Sequence, residues 1–296
     1  LGLLLPFVAA ADPLPTAAPE SVGFSSERLG RITEALRGDI AKGTIPGAVV
    51  LISRHGKIAY FESLGSLDPQ AKTPMGWDAI FRIYSMSKPI TTVCAMMLFE
   101  QGRLALSDPV AKYIPDFKNV KVGEEKRDAD GKVTLDLAEP KRPMTIQDLM
   151  RHTSGLTYGF FGDGAVKKLY RDANLNAGDP DNTEFSNRLA KLPLVYQPGT
   201  TWEYSQATDV LGRVIEVVTG KPLSQALKDM LLDPLGMTDT SFYVTEPAGQ
   251  PRIAEPFTSD RTIGAGAEVN DPRIARKYES GGGGLVGTAM DYARFA

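Results

Sequence analysis

Ser85 and Lys88 stand three residues apart in Ser85-Met-Ser-Lys88, a spacing that places two side chains on one face of a helix. A serine hydroxyl is a poor nucleophile at neutral pH until a neighbouring base takes its proton. A lysine amine can act as that base when burial or another cation lowers its affinity for the proton. A helix N-terminus also favours negative charge developing at the serine. Much farther along, Tyr204 lies in Trp202-Glu-Tyr-Ser205. A tyrosine there serves packing alone, or its phenol is a second proton-transfer group for the Ser–Lys pair. Ser-x-x-K by itself is a weak signal, and the other motifs decide its weight.

The elements around these residues follow from periodicity. Phe81–Tyr84 reads as an entry strand, followed by a helix with Ser85 on its first turn. Ile90, Val93, Cys94, Met97 and Leu98 form the apolar stripe of that helix, Pro89 falls in its first turn and Gly102 stops it. Upstream, Ser25–Gly43 is a helix capped by Ser25 or Ser26 with the stripe Leu29, Ile32, Leu36 and Ile40. Gly47–Ser53 and Lys57–Phe61 are strands joined by an Arg54-His55-Gly56 turn, so His55 is a solvated turn residue. Downstream, Leu104–Ile114 is a connector with a short helix capped by Ser107 or Asp108. Thr145-Ile-Gln-Asp148 is a capping box that delivers Arg151-His-Thr-Ser-Gly-Leu156. Val210–Thr219 and Pro222–Leu232 are further helices.

Several groups read better as structure than as chemistry. His152 and Ser154 are two apart, which does not face them on a helix, and no G-x-S-x-G elbow occurs, so His152 is expected to be a hydrogen-bonded structural residue. Tyr158 is either a pocket wall or plain core. Ser280-Gly-Gly-Gly-Gly284 lacks the Gly-Lys-Ser/Thr ending of a phosphate loop and reads as a close backbone approach, ahead of a helix capped by Thr288 and Asp291. The charged stretch 121–143, centred on an Asp130-Gly131 turn, is a solvated hairpin or a surface excursion, without the remaining ligands of a calcium loop.

Composition narrows the classes further. The 296 residues, 42% hydrophobic and 23% charged, are those of an ordinary globular protein with a proper core. A net charge of -3 gives no reason to expect nucleic acid as a partner. Two histidines and one cysteine, Cys94, cannot assemble a His- or Cys-rich site, so no metal or other cofactor is expected. Residues 1–11 resemble the tail of a secretory signal peptide, too short to span a membrane, followed by a linker over 12–20. The expected location is therefore exported, periplasmic or secreted. The chain lacks a starting Met and stops inside an amphipathic pattern at 291–296, so it reads as a fragment at both ends.

Taken in order, Ser85-Met-Ser-Lys88, His152-Thr-Ser-Gly-Leu156, Pro198-Gly-Thr with Trp202-x-Tyr204-Ser205, and Gly283-Gly-Leu-Val-Gly-Thr-Ala289 resemble the serine beta-lactamase-related superfamily. That group holds class C beta-lactamases, DD-peptidases and family VIII carboxylesterases, and the resemblance spans about residue 20 to 296. It implies an α+β fold: an antiparallel sheet flanked by helices, with an inserted helical region. The sheet region would take 21–84 and about 280–296 with C-terminal strands beyond, and the helical region 85–279. Where class C enzymes carry Tyr-x-Asn, this chain has Tyr204-Ser205-Gln206, which looks more like the esterase branch. The family's Lys-Thr-Gly or His/Trp-x-Gly strand, which supplies one oxyanion-hole N–H, is not found after Gly284. The resemblance implies a hydrolase of short-chain carboxylic esters with Ser85 as nucleophile, Lys88 and Tyr204 as proton-transfer groups, and Tyr158 and Gln206 binding the substrate. A beta-lactamase or DD-peptidase, and a non-catalytic penicillin-binding relative, are the competing readings.

Overall fold

In a computed structural model of the chain, residues 14–127, 130, 133–258 and 271–296 are described. The expected leader at 1–11 lies outside them, as does Gly131 of the expected hairpin turn. The elements run α1 (Ser26–Ala41), β1 (Gly47–Arg54), β2 (Lys57–Asp68), β3 (Thr73–Pro74), β4 (Phe81–Arg82), α2 (Ser87–Glu100), β5 (Val122–Arg127), β6 (Val133–Ala138) and α3 (Ile146–Met150). They continue with α4 (Ala165–Asp172), α5 (Asn182–Leu189), α6 (Ala207–Thr219), α7 (Leu223–Leu227), α8 (Asp233–Leu235), β7 (Val286–Gly287) and α9 (Ala289–Phe295). Two compact units result, and the segment Ile83–Met230 of the second interrupts the chain of the first. This is the expected α+β class: antiparallel sheets, flanking helices and an inserted helical region.

The first unit combines the described residues up to Arg82 with Leu231–Ile274 and Val286–Ala296. Strands β1, β2 and β3 form an antiparallel sheet, in register from Gly47 opposite Gly65 to Arg54 opposite Lys57, with a bulge at Ile52/Ser53. His55 and Gly56 both take positive φ, 55° and 70°, the backbone of a tight two-residue hairpin. Helix α1, capped by the Ser25 side chain, packs on β1 and β2, and α9 packs on β1. Thr288 caps α9 by accepting from the Asp291 N–H. Strands β4 and β7 form a separate antiparallel pair.

The second unit, Ile83–Met230 with Ala275–Leu285, is built on the packing of α2 against α6. Ile90, Cys94, Ala95 and Leu98 of α2 and Val210, Leu211, Val214 and Ile215 of α6 are buried, and α3, α5 and α7 also pack on α6. Such a rod of branched and straight apolar side chains buries about 1.5–3 kcal/mol per residue, ample to hold the α2 N-terminus in place. Strands β5 and β6 form the expected hairpin.

Three local expectations change. Helix α2 begins at Ser87, because Tyr84–Met86 forms a tighter 3-10 turn and Tyr84 adopts φ 41°. Val93 is exposed with Met96 and Phe99, since the packed face of α2 runs through Ile90, Cys94 and Leu98. Val110–Lys112 is a 3-10 turn without a side-chain cap. Asp108 instead accepts from the Ala105 N–H, Lys112 Nζ and Tyr113 OH.

Candidate active site

Every group described in this site belongs to the second unit. Ser85 sits in the 3-10 turn ahead of α2, on the exposed side, directly after the strained Tyr84. One turn on, Lys88 projects from α2 and donates from Nζ to Ser85 Oγ at 3.3 Å, to the Gly282 carbonyl at 2.6 Å and to Tyr158 OH at 3.4 Å. Tyr204 OH donates to Ser85 Oγ at 2.5 Å, and Lys88 Nζ lies 4.5 Å from the centre of the Tyr204 ring. The serine oxygen thus accepts hydrogen bonds from two titratable groups at once.

Tyr204 reaches this point from an irregular segment, so backbone pairing must hold it. The Val195 N–H bonds to the Gly155 carbonyl, Gly199 N–H to Thr153 and Glu203 N–H to His152, lacing 195–203 onto 152–155. Gly155 is required there: its φ is +86°, and a Cβ would lie 2.2 Å from the Tyr196 carbonyl oxygen. The His152–Leu156 motif is anchored in turn by Asp148. This carboxylate is fully buried, takes two bonds from Arg142 at 2.6 and 2.9 Å, and completes the capping box with Thr145. Burial alone would raise its pKa, but the hydrogen bonds from Arg142, Thr145 and Thr153 win and hold it at about 2.

His152 behaves as structure. Its Nδ1 lies 3.1 Å from Ser205 Oγ, and its ring is 5.0 Å from that of Tyr204. Burial, and then the charge of Lys88, push the imidazole down to about 4, so it is neutral at pH 7. Tyr158 lines the site: burial first, then the charges of Asp209 and Tyr204, raise its phenol far above the ordinary value. It therefore stays protonated beside Lys88. Gln206 is not among the groups gathered on Ser85. It occupies the N-cap position of α6, with a buried amide oxygen that has no hydrogen-bond partner.

Neither Gly282 nor Asp209 was given a part in the site from the sequence. The glycine run supplies the Gly282 carbonyl that holds Lys88, and Asp209 fixes that run by accepting from Ser280 Oγ at 2.5 Å and Gly282 N–H at 3.1 Å. Gly281 passes so close that a Cβ would lie 2.9 Å from the Thr208 carbonyl oxygen. The available signal was the pairing of a close-approach glycine run with an acid on the first turn of α6. Among the described residues no His, Cys, Asp and Glu cluster suits a metal ion, and no helix is long and apolar enough to cross a membrane.

Comparison with known proteins bears on the chain as a whole. The family model described as Beta-lactamase matches residues 32–296. An uncharacterised protein of Mycobacterium tuberculosis is 39% identical over 256 residues, 86% of this chain and 62% of that protein. Esterase EstB of Burkholderia gladioli is 36% identical over 298 residues, 95% of this chain and 71% of the esterase. Among solved structures, "EstCE1, a hydrolase with promiscuous acyltransferase activity" superposes with a TM-score of 0.71 at 31% identity, covering 90% of this chain and 71% of that one. The chain thus spans 62% of the length of the mycobacterial relative.

Proposed function

We infer that this chain, which belongs to the beta-lactamase family, is the nucleophile-bearing part of a serine hydrolase that cleaves short-chain carboxylic esters. The observation that carries this reading is Ser85 Oγ accepting from both Lys88 Nζ and Tyr204 OH, at 3.3 and 2.5 Å. Similarity to Esterase EstB supports ester rather than lactam turnover.

In this reading one member of the Lys88–Tyr204 pair first gives up its own proton to solvent, and Ser85 Oγ then bonds to the ester carbonyl carbon while its proton passes to that deprotonated member. The Ser85 backbone N–H, at the N-terminal end of α2, receives half of the developing oxyanion charge. The adduct collapses, the carbon–oxygen bond to the alcohol breaks, and Tyr204 O–H protonates the departing oxygen. Water then attacks the acyl carbonyl. One of its protons returns through the pair to Ser85 Oγ, and the carboxylic acid leaves. An alcohol can replace water in this step, a second reading favoured by the acyltransferase activity attributed to EstCE1. Tyr158 would wall the substrate, and the unpartnered amide oxygen of Gln206 supports a binding role for that residue. The apolar run at 1–11 supports an exported enzyme.

The test is turnover of p-nitrophenyl butyrate and nitrocefin side by side. Ester cleavage should dominate, fall at least about a thousandfold in Ser85→Ala and fall about 10²–10⁴-fold in Tyr204→Phe. Dominant nitrocefin cleavage would move the protein to the lactamase branch. Full activity in Ser85→Ala would sink the mechanism.

A further inference from the structure

Around Tyr204 the second unit displays aromatic surface that its own core does not use. Phe160 is 69% exposed, Trp202 63% and Phe161 47%, although most aromatic side chains of this size are buried. The rings form one continuous arc. Trp202 stacks on Tyr204 with centroids 6.1 Å apart at 21°, and Phe161 lies 5.9 Å from Tyr204. Phe161 is 4.5 Å from Phe160, which stacks on Tyr158 at 4.8 Å. Tyr204, flanked by Trp202 on one side and Phe161 on the other, is the ring whose hydroxyl touches Ser85.

The arc is held open before any ligand arrives. Arg171 donates to the Gly159 carbonyl at 2.7 Å, at the base of the Phe160–Phe161 tip. Glu203, between Trp202 and Tyr204, pairs with Lys167 of α4 at 2.8 Å and accepts from Thr157 Oγ1 at 2.7 Å. Both ends of the arc are thus tied to each other through a largely buried ion pair. Exposed rings fixed in this way bind with little ordering cost.

We propose that Trp202, Phe161 and Phe160 form the subsite for the alcohol half of the ester, and that it selects alcohols bearing a flat, apolar ring system. The side is set by chemistry, and here the proposal rests on the mechanism above. Tyr204 O–H protonates the departing oxygen, so the carbon attached to that oxygen lies just beyond the phenol. The rings that flank Tyr204 meet this carbon's substituent, and the acyl chain, on the far side of the carbonyl carbon, is directed away from them. A flat ring system stacks on the exposed faces of the arc, whereas a linear alkyl chain covers only part of them.

The experiment compares 2-(2-naphthyl)ethyl acetate with n-butyl acetate, two primary-alkanol esters in which the leaving oxygen is electronically similar. The expected kcat/KM ratio favours the naphthyl ester by about tenfold or more. Trp202→Ala and Phe160→Ala, both at exposed positions where folding should tolerate the change, are expected to lower that ratio severalfold whatever happens to either rate alone. A change of acyl chain from acetate to hexanoate should leave the variants' ring preference where it stands. A wild-type ratio near one, or variants that keep the preference, would overturn the proposal. So would variants that change acyl-length selectivity instead.

A binding measurement separates this idea from the mechanism. The chain has two tryptophans, Trp77 and Trp202. In Ser85→Ala, 2-(2-naphthyl)ethanol should perturb tryptophan fluorescence saturably, and the signal should vanish on adding Trp202→Phe. Saturable binding in Ser85→Ala, together with no ester turnover by the unsubstituted protein, would keep the arc as a ring-binding surface and overturn both the mechanism and the assignment to the alcohol half. Ester turnover without this binding would keep the mechanism and overturn the arc as a subsite.

Discussion

Ser85 owes its surroundings to residues that do no chemistry themselves. His152 is the clearest case, a neutral ring packed beside Tyr204 and hydrogen-bonded with Ser205. Its pKa falls from the ordinary 6.5 to about 4 on folding, through burial and then the Lys88 charge. Below about 6.5 the unfolded chain takes up a proton that the folded chain refuses until about 4. The contribution of this group to stability is therefore complete above about 6.5 and is lost as pH falls toward 4. Urea unfolding at a series of pH values, compared with His152→Gln, should show the advantage of the wild type shrinking across that window. Parallel curves would show that His152 is not titrating as described.

At the scale of elements, the decisive object is the loop pair 152–155 and 195–203, because it carries Tyr204 to a nucleophile on another segment. Gly155 combines φ +86° with a backbone approach that leaves no room for a methyl group. Gly220, at φ +72°, has nothing within 4 Å of a built Cβ. Gly220→Ala therefore isolates the conformational cost, about 1 kcal/mol or slightly more. Gly155→Ala should cost about 3 kcal/mol or more, since the Tyr196 carbonyl must also move. Chemical denaturation of both variants measures the difference. Equal losses would mean that the close approach relaxes freely and does not hold the loop pair.

For the molecule as a whole, a net charge of -3 gives no reason to expect a polyanion as partner. The apolar stretch at 1–11 supports the export reading. Expressed with this stretch in place in a Gram-negative host, the protein should be recovered from the periplasmic fraction or medium after osmotic shock. Retention with a cytoplasmic marker enzyme would remove the export reading.

Much of this protein was legible from local pattern. The helical stripe that carries Lys88, the His55-Gly56 hairpin, the Thr145–Asp148 capping box and the Thr288 cap all depend on residues within a few positions of one another. Their order, with the Ser85, Tyr204 and glycine-run motifs, was enough for the family and the α+β class. Short-range ambiguity produced the misplaced helix start and the Val93 assignment, because one turn of sequence does not show whether it closes with i→i+3 or i→i+4 bonds and a stripe does not say which half of it is packed. What the sequence alone determined is the inventory of candidates, Ser85, Lys88 and Tyr204. Only the tertiary structure decided that the Gly282 carbonyl holds Lys88, that Asp209 holds the glycine run, and that Trp202 and the Phe160–Phe161 tip flank Tyr204. Trp202 aside, those partners are separated by tens to hundreds of positions, and it is the packing of α2 and α6 and the loops around them, not local spacing, that sets which of them meet.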